Sequence, residues 1–307
     1  MVKFLDSLPE VFRERYLNTH ERYLKSIADI IGHLYMRKVD DWDESCRQML
    51  LRLIPAGRAP RRDDSEDETV HFRNLRNCWY HECALHYPLD NIDERLRFAA
   101  WKIVQSYYSV FSSIATLVCL EHPKRKSHDA VLNSYVNDFV CSKRRNRFLL
   151  PPVNFYLNQQ GVFSRNFSKV VSWDYADAYH IPNIKACLEF AKSELEKERY
   201  ERFSSARIGI PHYLKTLRDW VTYQDAYLFF RLYGQTVKDN LDGCLKRIAF
   251  THCVQTEFFM LKTFGWDVLN LQFERFAGEL KRNLKIDSPT LANRFKVYSE
   301  NRALFEA

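Results

Sequence analysis

The sequence predicts an all-α protein, and two observations predict it. Glycine and proline, the residues that interrupt helices, number only 8 and 10 in 307 residues. Between them run long amphipathic stretches whose apolar residues recur at helical spacing. Hydrophobic residues make up 46% of the chain and aromatics 15%, with 17 Tyr and 22 Phe. That is enough for a sizeable core in one large domain or two smaller ones.

The elements follow in order. Ser7 and Glu10 form a capping box, with Pro9 in the first turn. Leu17, Leu24, Ile27, Ile31, Leu34 and Tyr35 then keep helical spacing, and a second helix is predicted over Trp42 to Ile54. These make an N-terminal helical segment, 1–54. Residues 55–69, PAGRAPRRDDSEDET, are charged and almost free of apolar residues, so they read as an exposed loop. HFRNLRNCWYHECALHYP follows and ends at Pro88. Asp90 or Asn91, with Glu94, caps the most apolar helix, ERLRFAAWKIVQSYYSVFSSIATLVCLE. Its stripe is Ile103, Val104, Tyr107, Phe111, Ile114, Ala115 and Val118. The turn HPKRK leads to a helix, SHDAVLNSYVNDFV. Residues 141–180 carry Pro, Gly and Asn breaks and are predicted to be irregular, with a short strand pair. The segment NIKACLEFAKSELEKERYERF has the mixed Glu and Lys of an exposed helix. Three further helices cover HYLKTLRDWVTYQDAYLFFRLY, then TVKDNLDGCLKRIAFTHCVQTEFFMLKTF up to Gly265, then VLNLQFERFAGELKRNL.

The formal charge is +7, which suits a polyanionic partner such as RNA or DNA. Eight cysteines without a CxxC pair predict reduced thiols in a cytoplasmic protein. No run of about 18 apolar residues occurs, so no membrane span is expected. Walker A, GxGxxG, HExxH and GxSxG motifs are absent, and no cofactor is expected. His81, Cys83 and His86 supply at most three ligands from adjacent turns, fewer than the four of a tetrahedral zinc, so no metal site is assigned.

KIVQSYYSVFSSIATLV followed by a basic turn and KSHDAVLNSYVNDFV resembles HEPN domains, helical bundles found in prokaryotic toxin, antiphage and CRISPR-associated proteins. Tyr107, Tyr108 and Phe111 fit the family's YYAxFHAA-type stripe, and Lys126, His128 and Val131 fit its next helix. The resemblance implies a HEPN-like helical bundle over residues 70–265, with N-terminal additions and C-terminal helices, 266–307, packed on it. It also implies metal-independent RNA cleavage through an Arg-x4-6-His motif, in a defence or toxin setting. There His serves as general acid or base, Arg holds the phosphate, and Asn fixes either side chain.

Four pairs match: Arg15/His20, Arg76/His81, Arg207/His212 and Arg247/His252. Roughly one match is expected by chance, so context has to choose. Arg76, Asn77 and His81 are the first choice, because Asn77 follows the arginine. Arg247 and His252 are the second, because they lie after the Tyr-Tyr helix. Residues five apart on a helix sit about 140° from each other, so this reading implies a second copy face to face in a homodimer, or a partner-protein complex. Lys143, Arg144, Arg145 and Arg147, beside Phe148, Phe155 and Tyr156, form a candidate RNA contact. The rival reading is a non-catalytic HEPN-like scaffold, adaptor or RNA-binding subunit.

Overall fold

The computed structural model describes residues 41–56, 70–87, 92–123, 127–140, 148–150, 208–223, 235–285 and 287–306. It also describes short strands within 156–170 and a few isolated positions. Of the loop expected over 55–69, residues 57–69 lie outside the described residues, while its start belongs to a tight helical turn, Ile54–Ala56, that buries Ala56. The Ser7 capping box, the Asp90/Asn91 cap and the 182–203 helix also lie outside the described residues.

Helices build the core. They are α1 (Trp42–Leu53), α2 (Val70–His86), α3 (Ile92–Glu121), α4 (His128–Ser134), α5 (Ile210–Tyr223), α6 (Gln235–Phe264), α7 (Trp266–Glu279), α8 (Pro289–Glu300) and α9 (Ala303–Glu306). Beside them, β1 (Tyr156–Leu157), β2 (Phe163–Asn166), β3 (Lys169–Val170) and β4 (Ile208–Gly209) pair antiparallel in the order β3-β2-β1-β4.

Local chemistry sets the helix ends. Asp41 accepts the Glu44 amide at 3.0 Å to start α1, and Ser127 accepts the Ala130 amide at 3.2 Å to start α4. Helix α4 does not continue as a regular α-helix. Residues Tyr135–Val140 widen into a π-helical turn, which keeps Tyr135, Val136, Phe139 and Val140 all buried. Gly265, at φ +88°, breaks α6 from α7, a backbone conformation open to glycine. Lys285, in the left-handed region at φ 54°, ends the π-helical turn Leu280–Leu284 that follows α7.

Helix α6 lies at the centre. From Ile248 to Leu261 every residue is buried, the signature of a helix enclosed on all sides. It meets α3 along a seam of small polar residues. Ser106 donates to the Leu245 carbonyl and Ser113 to the His252 carbonyl, at 3.4 and 2.8 Å. Ser109 lies 3.6 Å from the Cys253 sulfur. Small side chains at this i, i+3, i+7 spacing let the two helices approach closely.

Helix α3 contains a stretch, Ala100–Glu121, long and apolar enough to cross a membrane, but 83% of its apolar window is buried inside the fold. One hydrophobic core runs from Ile31 to Phe305. It therefore joins residues of the N-terminal, central and C-terminal segments. The six described cysteines are free and buried, with Cys78 and Cys253 sulfurs 3.2 Å apart.

Candidate functional site

Helices α2 and α3 pack antiparallel and carry the first-choice residues. Arg76 and His81 do not converge. The Arg76 guanidinium donates to Gln272 Oε1 on α7 at 2.7 Å. His81 turns toward α3, where its Nδ1 meets Gln105 Oε1 at 2.7 Å. Their separation around α2 follows from the five-residue spacing. Asn77 is exposed on the outer side of the helix.

His81 sits in a defined chemical setting. Gln105 Oε1 can only accept, so Nδ1 carries the proton and Nε2 is left as the acceptor. The ring stacks on Tyr108, with centroids 5.3 Å apart and planes 26° from parallel. Burial lowers its pKa, and the Gln105 hydrogen bond opposes that shift. A neutral imidazole with a bare Nε2 is the form of a general base near pH 7.

Tyr108 links His81 to a second group that the sequence did not single out as a site. Arg218, on α5, lies with its guanidinium carbon 5.5 Å from the Tyr108 ring and 4.7 Å from the Tyr107 ring. Its Nη1 pairs with Asp219 at 2.7 Å. Tyr107 Oη and Arg218 Nη2 both reach His128 Nδ1, at 2.5 and 3.3 Å. An arginine only donates, so His128 Nδ1 accepts and its proton is on Nε2. His128 also stacks on Phe111 at 4.1 Å. Burial lowers the His128 pKa, and Arg218 and Lys215 add to the shift. Tyr107, Tyr108, Phe111 and His128, read from sequence as packing, thus meet in one aromatic wall with His81 at one end and Arg218 at the other.

The second-choice pair is placed differently. His252 is fully buried in α6, and Gln255 Nε2 lies 3.3 Å from its Nδ1. Among the described residues its Nε2 has no hydrogen-bond partner, and burial pushes its pKa down to about 3. Arg247 is half-buried one helical turn earlier, and its carbonyl accepts from Thr251. Of the basic cluster, Arg145 pairs with Glu121 at 2.9 Å and covers the Phe139 ring at 5.3 Å. Lys143, Arg144 and Arg147 lie outside the described residues, as do Arg15, His20 and Arg207.

The possible metal ligands on α2 also point apart. His81 is on Gln105, Cys83 is buried with its pKa pushed up to about 12 by burial, and His86 lies edge-on to Trp42. Among the described residues no group of three His, Cys, Asp or Glu side chains is disposed to hold a metal ion.

A buried ionic cluster lies on the opposite side of α2. Arg294 of α8 bonds Glu82 and Glu257, and Glu257 also accepts from Trp79 Nε1 at 2.7 Å and Tyr298 Oη at 2.5 Å. No family model, curated protein or solved structure matches the chain.

Proposed function

We propose that this protein is a metal-independent endoribonuclease of HEPN type, acting in the cytoplasm in a prokaryotic defence or toxin setting. His81 is its general base. The observation that carries the reading is the His81–Gln105 hydrogen bond. It commits the Nδ1 proton and leaves Nε2 open on a ring whose pKa is lowered by burial. His81 Nε2 takes the proton of a ribose 2′-hydroxyl, and O2′ attacks the adjacent phosphorus. The bond to the 5′-oxygen breaks, and that oxygen leaves as a hydroxyl with a proton from water. The products are a 2′,3′-cyclic phosphate and a 5′-hydroxyl end.

The phosphate needs a cation. Arg76 is held against α7 by Gln272, whereas Arg218 shares the Tyr108 ring with His81. Arg218 is nearer to His81 within one chain, but it is buried with its Nη atoms on Asp219 and His128. Arg76 of a second copy therefore suits the role across a homodimer, the arrangement the HEPN resemblance implies. The test is incubation of the purified protein with RNA in excess chelator. Cleavage is expected to persist in chelator and to vanish in His81→Ala, with the helical spectrum unchanged. Absence of cleavage of single-stranded and structured RNA alike by the wild-type protein would overturn the enzyme reading.

A second reading, a non-catalytic HEPN-like scaffold or RNA-binding subunit, is favoured by one observation. Arg76 and His81 are each engaged by a different neighbouring helix, α7 and α3. It predicts RNA retention without cleavage.

A further inference from the structure

Cys78 of α2 and Cys253 of α6 are 175 residues apart in the chain, yet their sulfurs lie 3.2 Å from each other. Even two carbon atoms pack best at about 3.5–4.0 Å, and sulfur is the larger atom. Both side chains are fully buried. A disulfide holds its sulfurs about 2.05 Å apart, so the pair has to close by only roughly 1 Å to reach it.

Two neighbours give the pair a chemistry that packing does not require. The Ser109 hydroxyl of α3 lies 3.8 Å from the Cys78 sulfur and 3.6 Å from the Cys253 sulfur. The Glu82 carboxylate, one turn along α2 from Cys78, is hydrogen-bonded by the Cys253 side chain. A thiol reacts as its thiolate. Glu82 is placed to take the Cys253 proton, and Ser109 to donate to the sulfur that becomes negative. A sulfur nucleophile, a proton acceptor, a hydroxyl and a second thiol thus meet where α2, α3 and α6 come together.

We infer that Cys78 and Cys253 are a dithiol–disulfide couple, oxidised by hydrogen peroxide to a bond that ties α2 to α6. The Cys253 thiolate attacks one peroxide oxygen. The S–O bond forms, the O–O bond breaks, and the departing hydroxide collects the proton held by Glu82. The Cys78 sulfur then attacks the sulfenic sulfur. The S–S bond forms, the S–O bond breaks, and hydroxide leaves with the Cys78 proton. Two electrons pass from the sulfurs to the peroxide, so two thiols and one peroxide give one disulfide and two waters. The couple needs no RNA chemistry and stands apart from the role of His81.

Its burial sets its speed. Burial, and next the contact with Cys78, raise the Cys253 pKa, so thiolate is scarce. Peroxide, a molecule little larger than water, enters through local opening of the helices. The couple therefore responds to sustained oxidant and stays reduced without it. A crosslink between residues so far apart restricts the unfolded chain, so the oxidised protein is harder to unfold.

The test uses the full chain, incubated with excess hydrogen peroxide in native buffer, then blocked with iodoacetamide and digested with trypsin. Cleavage after Arg76, Arg95, Arg247 and Lys262 puts Cys78 and Cys83 in one peptide and leaves Cys253 as the single cysteine of another. Treated wild type is expected to yield the two peptides joined, lighter than their sum by two hydrogens and separated by dithiothreitol. Cys83→Ser should keep the link, whereas Cys78→Ser and Cys253→Ser should each lower its yield at least tenfold. Peroxide should raise the urea midpoint of the wild type and of Cys83→Ser, and leave that of Cys78→Ser unchanged. Recovery of Cys78 and Cys253 as blocked thiols from the treated wild type would overturn the inference. So would sulfinic acid at Cys253 without a link, or a link that survives in Cys78→Ser. The wild-type peptide map decides by itself, whether or not a variant folds.

Discussion

Arg294 and Glu82 form a two-point ion pair in the protein interior. Nη1 donates to Oε1 at 2.7 Å and Nη2 to Oε2 at 2.6 Å, with the side chains 1% and 2% exposed. Glu257 brings a second carboxylate to the same guanidinium, at 2.8 and 2.9 Å. Burial raises the Glu82 pKa, and Arg294 opposes the shift. The pair joins α2 to α8 and turns the one carboxylate of α2 away from its outer face. Removing the cation leaves two buried carboxylates facing each other. Arg294→Leu is therefore expected to destabilise the protein by about 3–5 kcal/mol, the usual cost of orphaning a buried charge. Glu82→Gln should cost less, because Arg294 keeps Glu257. Urea denaturation of the two variants checks the order.

His252 predicts a pH dependence of stability. Its folded pKa, about 3, lies well below the ordinary histidine value of 6.5. The unfolded chain takes up a proton below about pH 6.5 while the folded chain does not. The unfolded state then binds more protons, so stability is fully present above pH 6.5 and falls as the pH drops toward 3. The slope from this residue is about 1.4 kcal/mol per pH unit. His252→Leu removes both the titration and an unpartnered ring nitrogen. Denaturant midpoints measured between pH 7 and pH 4 should show a shallower decline in the variant.

The helices were legible in the sequence because their periodicity is local. The Trp42 helix, the apolar helix before Glu121 and the stop at Gly265 all rest on neighbouring residues. The π-helical turn at Tyr135–Val140 was not legible, since its buried residues keep ordinary helical spacing. The Tyr107, Tyr108, Phe111 and His128 stripe was visible, but its partner Arg218 lies 90 residues beyond His128 on a helix without a motif. Glu82 and Arg294 are 212 residues apart. A faint signal existed there. Leu291, Arg294 and Tyr298 keep one helical row, so an arginine occupies a core position, and Glu257 interrupts the apolar run around Phe258 and Phe259. A charge in a core register announces a buried partner without naming it. For Arg76 and His81 the sequence supplied the residue types, whereas their divergence depends on which neighbouring helix each one meets.

Arg218 holds His128 from the α5 side. Burial is the main cause of the lowered His128 pKa, and the Arg218 charge is the next. Asp129 and Asp219 oppose it, and Lys215, paired to Asp129 at 2.6 Å, adds to it. Arg218→Gln should therefore raise the His128 pKa toward the ordinary histidine value of 6.5. Lysine is no substitute, because a point charge cannot stack on Tyr107 and Tyr108 as the planar guanidinium does. Titration of the His128 ring by NMR checks the shift. An unchanged pKa would mean that burial alone sets it.

In the ribonuclease proposed above, Gln105 is the positioning residue for His81, and its effects on RNA cleavage belong to that proposal. It is 2% exposed and accepts the Nδ1 proton, which fixes the tautomer with Nε2 bare. Gln105→Leu keeps the volume and removes the acceptor. The Nδ1 hydrogen bond favours the protonated ring and burial disfavours it, so its loss lowers the His81 pKa further. The ring also becomes free to exchange tautomers, and a fraction then presents an N–H instead of a lone pair to the 2′-hydroxyl. Two effects on RNA cleavage follow. The maximal rate should fall roughly tenfold to a hundredfold, within the range general base catalysis contributes. The acidic limb of the pH–rate profile should move to lower pH. Gln105→Glu has the opposite sign, since a carboxylate stabilises the imidazolium and should move that limb to higher pH. A structural role alone would lower the rate in both variants without moving the limbs apart, so the paired profiles separate the two explanations.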